Sequence, residues 1–242
     1  MPGAGAERMP DSARRCSIVI PVLDEAAGIA AQLQTLQAWR TAGAEVLVVD
    51  GGSRDASRER AAPLADAVLV SRRGRARQMN TGAAQAHGEI LVFLHADTRL
   101  PPDALAAIAA ALDAGARWGR FDVRITGRHR GLALVAALMN ARSRLTGIAT
   151  GDQAMFVRRD LFVAVGGFPD LPLMEDIALS RTLRAVARPA CLRQRVTTSG
   201  RRWERHGLLR TVLAMWWLRL RYFFGARPAD LARAYGYVPD DD

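Results

Sequence analysis

The chain contains no lysine, so all 34 of its basic residues are arginine. This excludes a P-loop with its phosphate-binding lysine, a Schiff-base lysine and a lysine general base. Cysteine is almost as scarce, because Cys16 and Cys191 are the only two, too few for a disulfide framework or a zinc site. Such cysteine usage is typical of a reducing compartment, and we predict a cytoplasmic location.

Long apolar runs are also missing. The most apolar segment, residues 208–224, is interrupted by three arginines, and its longest uncharged stretch is the eight residues of 211–218. A membrane-spanning helix needs ~20 apolar residues, so we predict no transmembrane segment. Residues 1–15 are rich in Gly, Ala and Pro and lack an apolar core. We predict that they form a disordered lead-in and not a signal peptide.

Positive charge is present in excess and is unevenly placed. The formal net charge is +10, and residues 177–233 contain 13 arginines against two acids, Glu204 and Asp230. A basic segment of this kind suits an anionic partner, which would be a nucleic acid, a phosphorylated substrate or an anionic membrane. The alternative is a basic face that is only solvated.

Apolar runs of strand length alternate with helical patterns through the first half of the chain. This alternation with short connections predicts one α/β domain with a mainly parallel, doubly wound sheet. The second half is more mixed and contains no internal repeat. The predicted strands cover residues 17–22, 45–50, 67–70, 89–94, 120–126 and 150–157, and the main predicted helices cover 28–42, 55–64, 75–86, 103–114, 132–145 and 175–186.

Two of these strands lead into carboxylates, Asp50 and Asp97. Ligands of open α/β sheets bind outside the carboxyl ends of the strands, so both side chains are expected near one ligand. Asp50 suits a nucleoside, because a carboxylate accepts directional hydrogen bonds and the glycines after it allow close approach. Asp97 suits a divalent cation that carries a diphosphate. The alternative is two buried strands with polar turns.

Six short motifs follow one another in a familiar order. Together they resemble the family-2 glycosyltransferases, inverting enzymes that use nucleotide-diphosphate sugars. The resemblance covers about residues 16–206 and is closest to small bacterial members with a His-Ala-Asp block. The motifs are Ile18 to Glu25, Val48 to Asp55, Gly74 to Gly82, His95-Ala96-Asp97, Glu175-Asp176 and Arg202-Trp203.

The resemblance implies a nucleotide-diphospho-sugar transferase (GT-A type) fold over residues 16–206, with an aromatic and basic helix and tail over 207–242. It implies transfer of a sugar, with a hexose favoured, from a UDP- or GDP-sugar to an acceptor hydroxyl with Mn²⁺ or Mg²⁺. Asp176, beside Glu175, would be the general base. Asp97 and His206 would hold the metal. Nucleotide-binding positions would be Pro21, Asp24, Glu25, Asp50, Gly52, Ser53, Asp55, Arg77 and Ala96, and substrate-binding positions Gly151, Asp152, Gln153, Arg202 and Trp203.

Several of these residues have simpler explanations. Asp24 stands where the family usually has Asn, and His95 stands where it usually has Asp. Ser53 and Asp55 would equally serve as caps of the following helix. Arg77 is expected either to bind a phosphate or to orient Asp50.

The C-terminal segment leaves two interpretations open. Its aromatic residues, Trp216, Trp217, Tyr222 and Phe223, would pack inward or at an interface such as a homodimer, or they would contact a membrane peripherally. Arg219 falls opposite the other arginines, so the helix is not cleanly amphipathic by sequence. The acceptor is accordingly expected to be lipid-linked or anionic.

Three other functions compete with this interpretation. A nucleotidyltransferase needs a glycine-rich loop with a basic residue after the first strand, and residues 21–25 lack one. A dinucleotide-dependent dehydrogenase needs Gly-x-Gly-x-x-Gly there, which is also missing. A nucleic-acid-binding protein would explain the arginines but not Asp50, Asp97 and Asp176, so we expect no specific nucleic-acid partner.

Overall fold

The computed structural model describes residues 16–237, so the predicted lead-in over residues 1–15 lies outside the described residues. This range contains one eight-stranded sheet with helices on both faces. The strands are Cys16–Val22 (β1), Glu45–Asp50 (β2), Ala67–Val70 (β3), Ile90–Phe93 (β4), Thr98–Arg99 (β5), Trp118–Thr126 (β6), Met155–Arg158 (β7) and Ala190–Ser199 (β8).

The helices are mostly short, and two of them, α6 and α10, reach 16 residues. Their bounds are Ile29–Gln34 (α1), Gln37–Thr41 (α2), Ser57–Ala61 (α3), Arg75–Gln85 (α4), Ala104–Asp113 (α5), Gly131–Thr146 (α6), Arg159–Ala164 (α7), Glu175–Val186 (α8), Arg201–His206 (α9), Leu208–Phe223 (α10) and Pro228–Ala234 (α11).

The sheet divides into a parallel half and a mixed half. Its strand order is β3-β2-β1-β4-β7-β6-β8-β5. The first four strands pair in parallel, whereas β7 is antiparallel to both of its neighbours and β6 pairs in parallel with β8. The predicted α/β class and largely parallel sheet are therefore confirmed. The parallel half brings the ends of β1, β2 and β4 to one edge, and that edge carries the site.

Continuous apolar runs form the centre of the sheet because helices cover both of its faces. Every residue of β1 and β4 is buried. On one face the core includes Trp39 and Phe121, and on the other Phe93 packs edge-on against Phe168 with ring centroids 4.8 Å apart. These two layers hold the central strands rigidly in register.

Three local predictions differ from the structure. The helix predicted over 28–42 is broken into α1 and α2, because Thr35 and Leu36 donate to carbonyls only three residues back. The strand predicted over 150–157 begins as a 3₁₀ turn, Gly151–Gln153, and becomes extended only at Met155. The long strand β8 was missed, since its alternating arginines and threonines lack an apolar run.

The C-terminal helices α10 and α11 pack on the loop that precedes α8. Leu218 and Leu231 form a small buried cluster with Met174, and Ile177 and Tyr235 pack against it. Nowhere in residues 16–237 is there a helix with the length and apolar character needed to cross a bilayer. The described part of the segment predicted as a helix and tail thus forms a small apolar cluster with the residue before α8.

Candidate active site

A cleft of about 500 Å³ opens at the carboxyl ends of β1 and β4. A second pocket of about 290 Å³ adjoins it and shares Glu25, Arg75, His95, Asp97, Arg202 and Tyr235 with it. The combined space is within the range usual for a small-molecule site. Predicted residues in the cleft wall are Asp24, Glu25, Asp97, Gly151, Asp152, Glu175, Asp176, Arg202, Trp203 and His206, while Pro21 and Ala96 line the second pocket.

Asp50 ends β2 and is fully buried. One carboxylate oxygen, Oδ2, accepts hydrogen bonds from the N–H groups of Gly52 and Ser53, each at 3.0 Å. Gly52 adopts a φ of +89°, which a residue with a side chain rarely does. The other oxygen, Oδ1, has no hydrogen-bond partner among residues 16–237. Asp50 therefore retains one oxygen without a partner among the described residues. The structure does not place all predicted nucleotide-binding residues in the walls of the two pockets, and those outside them are Asp50, Gly52, Ser53, Asp55 and Arg77.

The two loops after β1 and β2 are joined by side-chain hydrogen bonds. Ser53 Oγ accepts from the N–H of Asp24 at 2.9 Å, and Asp55 Oδ2 accepts from Ala26 N–H at 3.0 Å. Asp24 Oδ1 in turn accepts from Arg54 N–H at 2.8 Å. These contacts let Ser53 and Asp55 fix the loop that carries the cleft residues Asp24 and Glu25.

Asp97 lies just beyond β4 and is about one-third exposed to the cleft. Its Oδ2 is 3.6 Å from Arg201 Nη2, which also lies 3.4 Å from Glu25 Oε2. Arg201 thus sits between two carboxylates that would otherwise repel each other. Within residues 16–237, no three His, Cys, Asp or Glu side chains gather into a metal-binding cluster.

His95 is directed toward the turn at residues 151–153. Its Nδ1 lies 3.4 Å from Asp152 Oδ1, and a methyl group on Gly151 would overlap the imidazole ring. Enclosure by the protein raises the pKa of Asp152, but the hydrogen bond and charge of His95 outweigh it, so that this pKa lies below its ordinary value. The histidine that replaces the family's usual aspartate therefore orders the neighbouring turn.

Gln153 belongs to the framework of that turn. It is fully buried, its Oε1 accepts from the Thr150 N–H at 3.2 Å, and its Nε2 lies 3.4 Å from Asn140 Oδ1. The structure therefore does not bring this predicted substrate-binding side chain to the cleft, because the amide is used inside the protein.

Glu175 and Asp176 begin α8 next to a strained residue. Met174 has a φ of +71°, unusual for a residue with a side chain, and is held by the Leu218 and Leu231 cluster. Asp176 Oδ2 accepts from Gly151 N–H at 2.8 Å. Burial, and then the adjacent charge of Asp176, raise the pKa of Glu175 to about 7. The helix start thus contributes two carboxyl groups to the cleft wall, of which Glu175 is the more buried.

The first turn of α4 places Arg75 in the cleft wall. Enclosure lowers the pKa of Arg75, but Glu175 above all, with Asp152 and Asp176, raises it above the ordinary value. Arg77, predicted to bind a phosphate or to orient Asp50, forms an ion pair with Asp170, with both carboxylate oxygens 2.9 Å from its Nε.

Arg202, in the predicted Arg-Trp motif, contacts the C-terminal segment. The Arg202 guanidinium carbon lies 3.6 Å from the centre of the Tyr235 ring, a cation–π contact, and its Nη2 donates to the Tyr235 carbonyl at 3.2 Å. Trp203 is half-buried and packs against the core from the cleft wall. His206 lines the same cleft as Asp97.

The cleft residues that sequence reasoning missed include Arg75, Arg201 and Tyr235. Arg75 and Arg201 adjoin recognised motifs, and their position next to those motifs was the available signal. Tyr235 had no such signal, because it reaches the cleft only through the packing of α11 on Met174.

An open sheet with these acidic strand ends has the GT-A fold of nucleotide-sugar transferases. Residues 17–163 match the family model of Glycosyl transferase family 2, and this match covers more than half of the chain. The chain belongs to glycosyl transferase family 2. One curated relative is 32% identical over 159 residues, an undecaprenyl-phosphate 4-deoxy-4-formamido-L-arabinose transferase from Pseudomonas fluorescens. The aligned part is 59% of this chain and 45% of that relative.

Solved structures show the same fold at low sequence identity. A mannosyltransferase from Pyrobaculum calidifontis, in complex with GDP-Man and Mn²⁺, is 24% identical to this chain with a TM-score of 0.59. The match covers 76% of this chain and 56% of the mannosyltransferase. Glucosyl-3-phosphoglycerate synthase from Mycobacterium tuberculosis, with Mg²⁺ and UDP, is 21% identical with a TM-score of 0.59. That match covers 82% of this chain and 75% of the synthase.

Proposed function

We propose that this protein is an inverting glycosyltransferase that moves a sugar, with a hexose favoured, from a UDP- or GDP-sugar to an acceptor hydroxyl. The observation that carries the proposal is the convergence of Asp97, Asp152 and Asp176 on one cleft. These side chains come from three separate parts of the chain. Family membership and the nucleotide-sugar complexes of similar folds support a donor of this class.

The donor nucleotide would occupy the pocket beside Pro21 and Ala96. Asp50 would reach the base or ribose, through the Oδ1 that has no partner among residues 16–237, only after a local movement, because its side chain is fully buried and lines neither pocket. Asp24, Glu25, Gly52, Ser53 and Asp55 would shape this pocket through the hydrogen bonds between the two loops. Arg75 and Arg202 supply positive charge for the diphosphate.

We propose that Asp97 holds a divalent cation such as Mn²⁺ or Mg²⁺, because its partly exposed carboxylate lies in the cleft wall. Such cations are often held by one or two carboxylates, with waters and substrate phosphates completing the shell, so a cluster of three protein ligands is not needed. Asp97 would hold the ion and His206 lines the same cleft. When bound, the metal would neutralise charge that develops on the leaving diphosphate.

Asp176 is proposed as the general base. The Gly151 N–H holds its Oδ2, and the side chain lies in the cleft wall with Asp152. A carboxylate in this place would take the proton of the acceptor hydroxyl as its oxygen attacks the anomeric carbon. Glu175, whose pKa is about 7, would remain largely protonated at mildly acidic pH and would limit the negative charge near the donor.

The acceptor is proposed to be lipid-linked and presented at an anionic membrane surface. Six large apolar residues of α10 are exposed, and at about 100° per residue they form one stripe. Arg210 and Arg221 flank this stripe, whereas Arg219 lines the cleft on the other side. Both sides of α10 are therefore apolar, because Leu218 and Tyr222 pack inward while the stripe faces outward. The α10 stripe consists of Leu209, Leu213, Trp216, Trp217, Leu220 and Phe223.

A thermal-shift panel of nucleoside diphosphates, with and without Mn²⁺, tests the proposed donor class. UDP or GDP should stabilise the protein in a Mn²⁺-dependent manner, since a ligand at 100 times its Kd adds about 2.7 kcal/mol. ADP serves as the matched control. No stabilisation by UDP or GDP would contradict the proposal. If the protein instead bound random DNA in a salt-sensitive manner, the nucleic-acid alternative would be favoured.

A further inference from the structure

Two arginines at the end of the cleft next to α10 have buried nitrogens without a partner. Arg142 lies on α6 and Arg219 on α10, and the unpartnered atoms among residues 16–237 include Arg142 Nε, Arg142 Nη2 and Arg219 Nε. Burial, and then the nearby charge of Arg219, lower the pKa of Arg142 to about 10, so Arg142 is still a cation at neutral pH. Buried cations are costly unless they are paired.

Nearby, the protein does pair a buried arginine. Arg120, on β6, is fully buried, and it forms an ion pair with Asp122 and donates from Nε to Ser143 Oγ at 3.0 Å. Arg144 Nη2 also reaches Asp122, at 2.6 Å. Arg120 and Arg144 thus have anionic or hydrogen-bonding partners within the chain. The unpartnered nitrogens of Arg142 and Arg219 could instead bind an anion from outside the chain.

A narrow apolar slot of about 80 Å³ separates α6 from α10 beside these arginines. It joins the cleft, because Asp152, Trp203 and Arg219 belong to the walls of both. At its outer end it reaches Trp216, a residue of the exposed α10 stripe. Its apolar lining consists of Val135, Leu138, Met139, Val212, Met215 and Trp216.

We propose that Arg142 and Arg219 bind a phosphate group of the acceptor and that the slot holds the first methylene groups of an alkyl chain on that phosphate. Guanidinium groups match phosphate oxygens in charge and geometry. Arg219 belongs to the walls of both the slot and the cleft, so a phosphate held there lies at the junction with the cleft that contains the proposed base. The inference rests on the proposed transfer function and specifies the chemistry of its acceptor.

Titration calorimetry with octyl phosphate, below its micelle concentration, tests the site directly. Wild-type protein should bind it saturably, and Arg142→Gln and Arg219→Gln should each weaken binding by roughly tenfold or more, the loss of a charge-assisted hydrogen bond. The matched control is Arg210→Gln, an exposed position on the same helix as Arg219, which should bind as wild type does. Octanol should not bind measurably, because it brings no charge to the arginines.

A comparison with ethyl phosphate distinguishes an acceptor phosphate that carries a long alkyl chain from a water-soluble phosphate. Octyl phosphate should bind more tightly, by roughly fourfold for each methylene group that the slot buries. Equal affinities for octyl and ethyl phosphate would indicate that the arginines bind a water-soluble phosphate. That result would overturn the proposal that the slot holds an alkyl chain. Full affinity for octyl phosphate in both glutamine variants would overturn the site itself.

The same variants distinguish this inference from the proposed donor chemistry. Both should still bind UDP or GDP with Mn²⁺, because neither arginine lines the pocket proposed for the nucleotide, and thermal unfolding checks that each variant is folded. Loss of nucleotide binding with octyl phosphate binding intact would place Arg219 in the donor site and overturn the inference. Wild-type protein that binds octyl phosphate but no nucleotide would contradict only the proposed donor.

Discussion

The two ends of the cleft are built on opposite plans. At the donor end, below β1, β2 and β4, polar groups are mostly satisfied within the chain, as in the loop contacts of Ser53 and Asp55. At the acceptor end, between α6 and α10, Arg142 and Arg219 have unpartnered nitrogens and apolar side chains face outward. If the proposed function is right, we expect the donor end to be largely preorganised and the acceptor end to be completed by the anion that it binds.

The turn at residues 151–153 and the start of α8 join these two ends. Gly151 is in contact with His95 on the donor side and donates to Asp176 on the acceptor side. A substitution at this junction should therefore show which end of the cleft depends on the turn. A substitution at one end should leave ligand binding at the other end unchanged.

Replacing Asp176 with asparagine should separate binding from turnover. A general base contributes about 10²–10⁴-fold to the rate and little to ground-state binding. We expect Asp176→Asn to bind UDP or GDP as wild type does and to transfer sugar at least ~100-fold more slowly. Asp113→Asn, at an exposed position on α5, is the control. Near-native turnover of Asp176→Asn would mean that this carboxylate only holds the Gly151 turn.

Glu175→Gln should alter the pH dependence of stability. The folded protein holds the Glu175 proton up to a pKa of about 7, whereas the ordinary value is 4.5. Wild-type stability should therefore fall relative to the variant as the pH rises from 4.5 to 7, by up to roughly 3 kcal/mol. Below pH 4.5 the difference should be constant. Denaturant unfolding across this range measures it, and parallel curves would rule out a buried, protonated Glu175.

Gly151→Ala should damage the junction of the two ends. The added methyl group would overlap the His95 ring, and such overpacking costs roughly 1–3 kcal/mol. Gly28→Ala is the matched control, because among residues 16–237, its chain neighbours aside, no atom lies within 4 Å of the position of its added methyl group. Thermal unfolding compares the two variants. Equal stability would show that His95 moves aside without cost.

Paired Trp216→Ser and Trp217→Ser substitutions should weaken membrane contact. We expect wild-type protein to sediment with anionic vesicles at low salt and to be released at about 0.5 M salt, where charge is strongly screened. The double variant should sediment several-fold less, because both side chains are more than half exposed on α10. The opposite result would be wild-type protein that does not sediment with vesicles but forms a dimer, with no dimer in the double variant. The α10 stripe would then be a subunit interface.

The parallel half of the fold was accessible from sequence because each strand there is a short apolar run. Val48 and Val92 lie in such runs, and the carboxylates after them were located correctly at the sheet edge. Strand β8 was not accessible, since its arginines and threonines are ordered by pairing with β6 and not by local pattern. The acceptor end was hidden for a similar reason. Arg219 interrupts the apolar pattern of α10 in sequence, and only the packing of the helix turns it toward the cleft.

Calorimetry of UDP and GDP binding, with and without Mn²⁺, to wild-type protein and to Asp97→Ala tests the central claim most directly. Asp97 is the one-third-exposed carboxylate beyond β4, opposite Arg201. If the cleft binds a metal-bound nucleoside diphosphate, Mn²⁺ should tighten binding to wild type by at least ~10-fold, equivalent to about 1.4 kcal/mol, and should have no effect on Asp97→Ala. Equal Mn²⁺ dependence in both proteins would contradict the claim and remove Asp97 from the metal site.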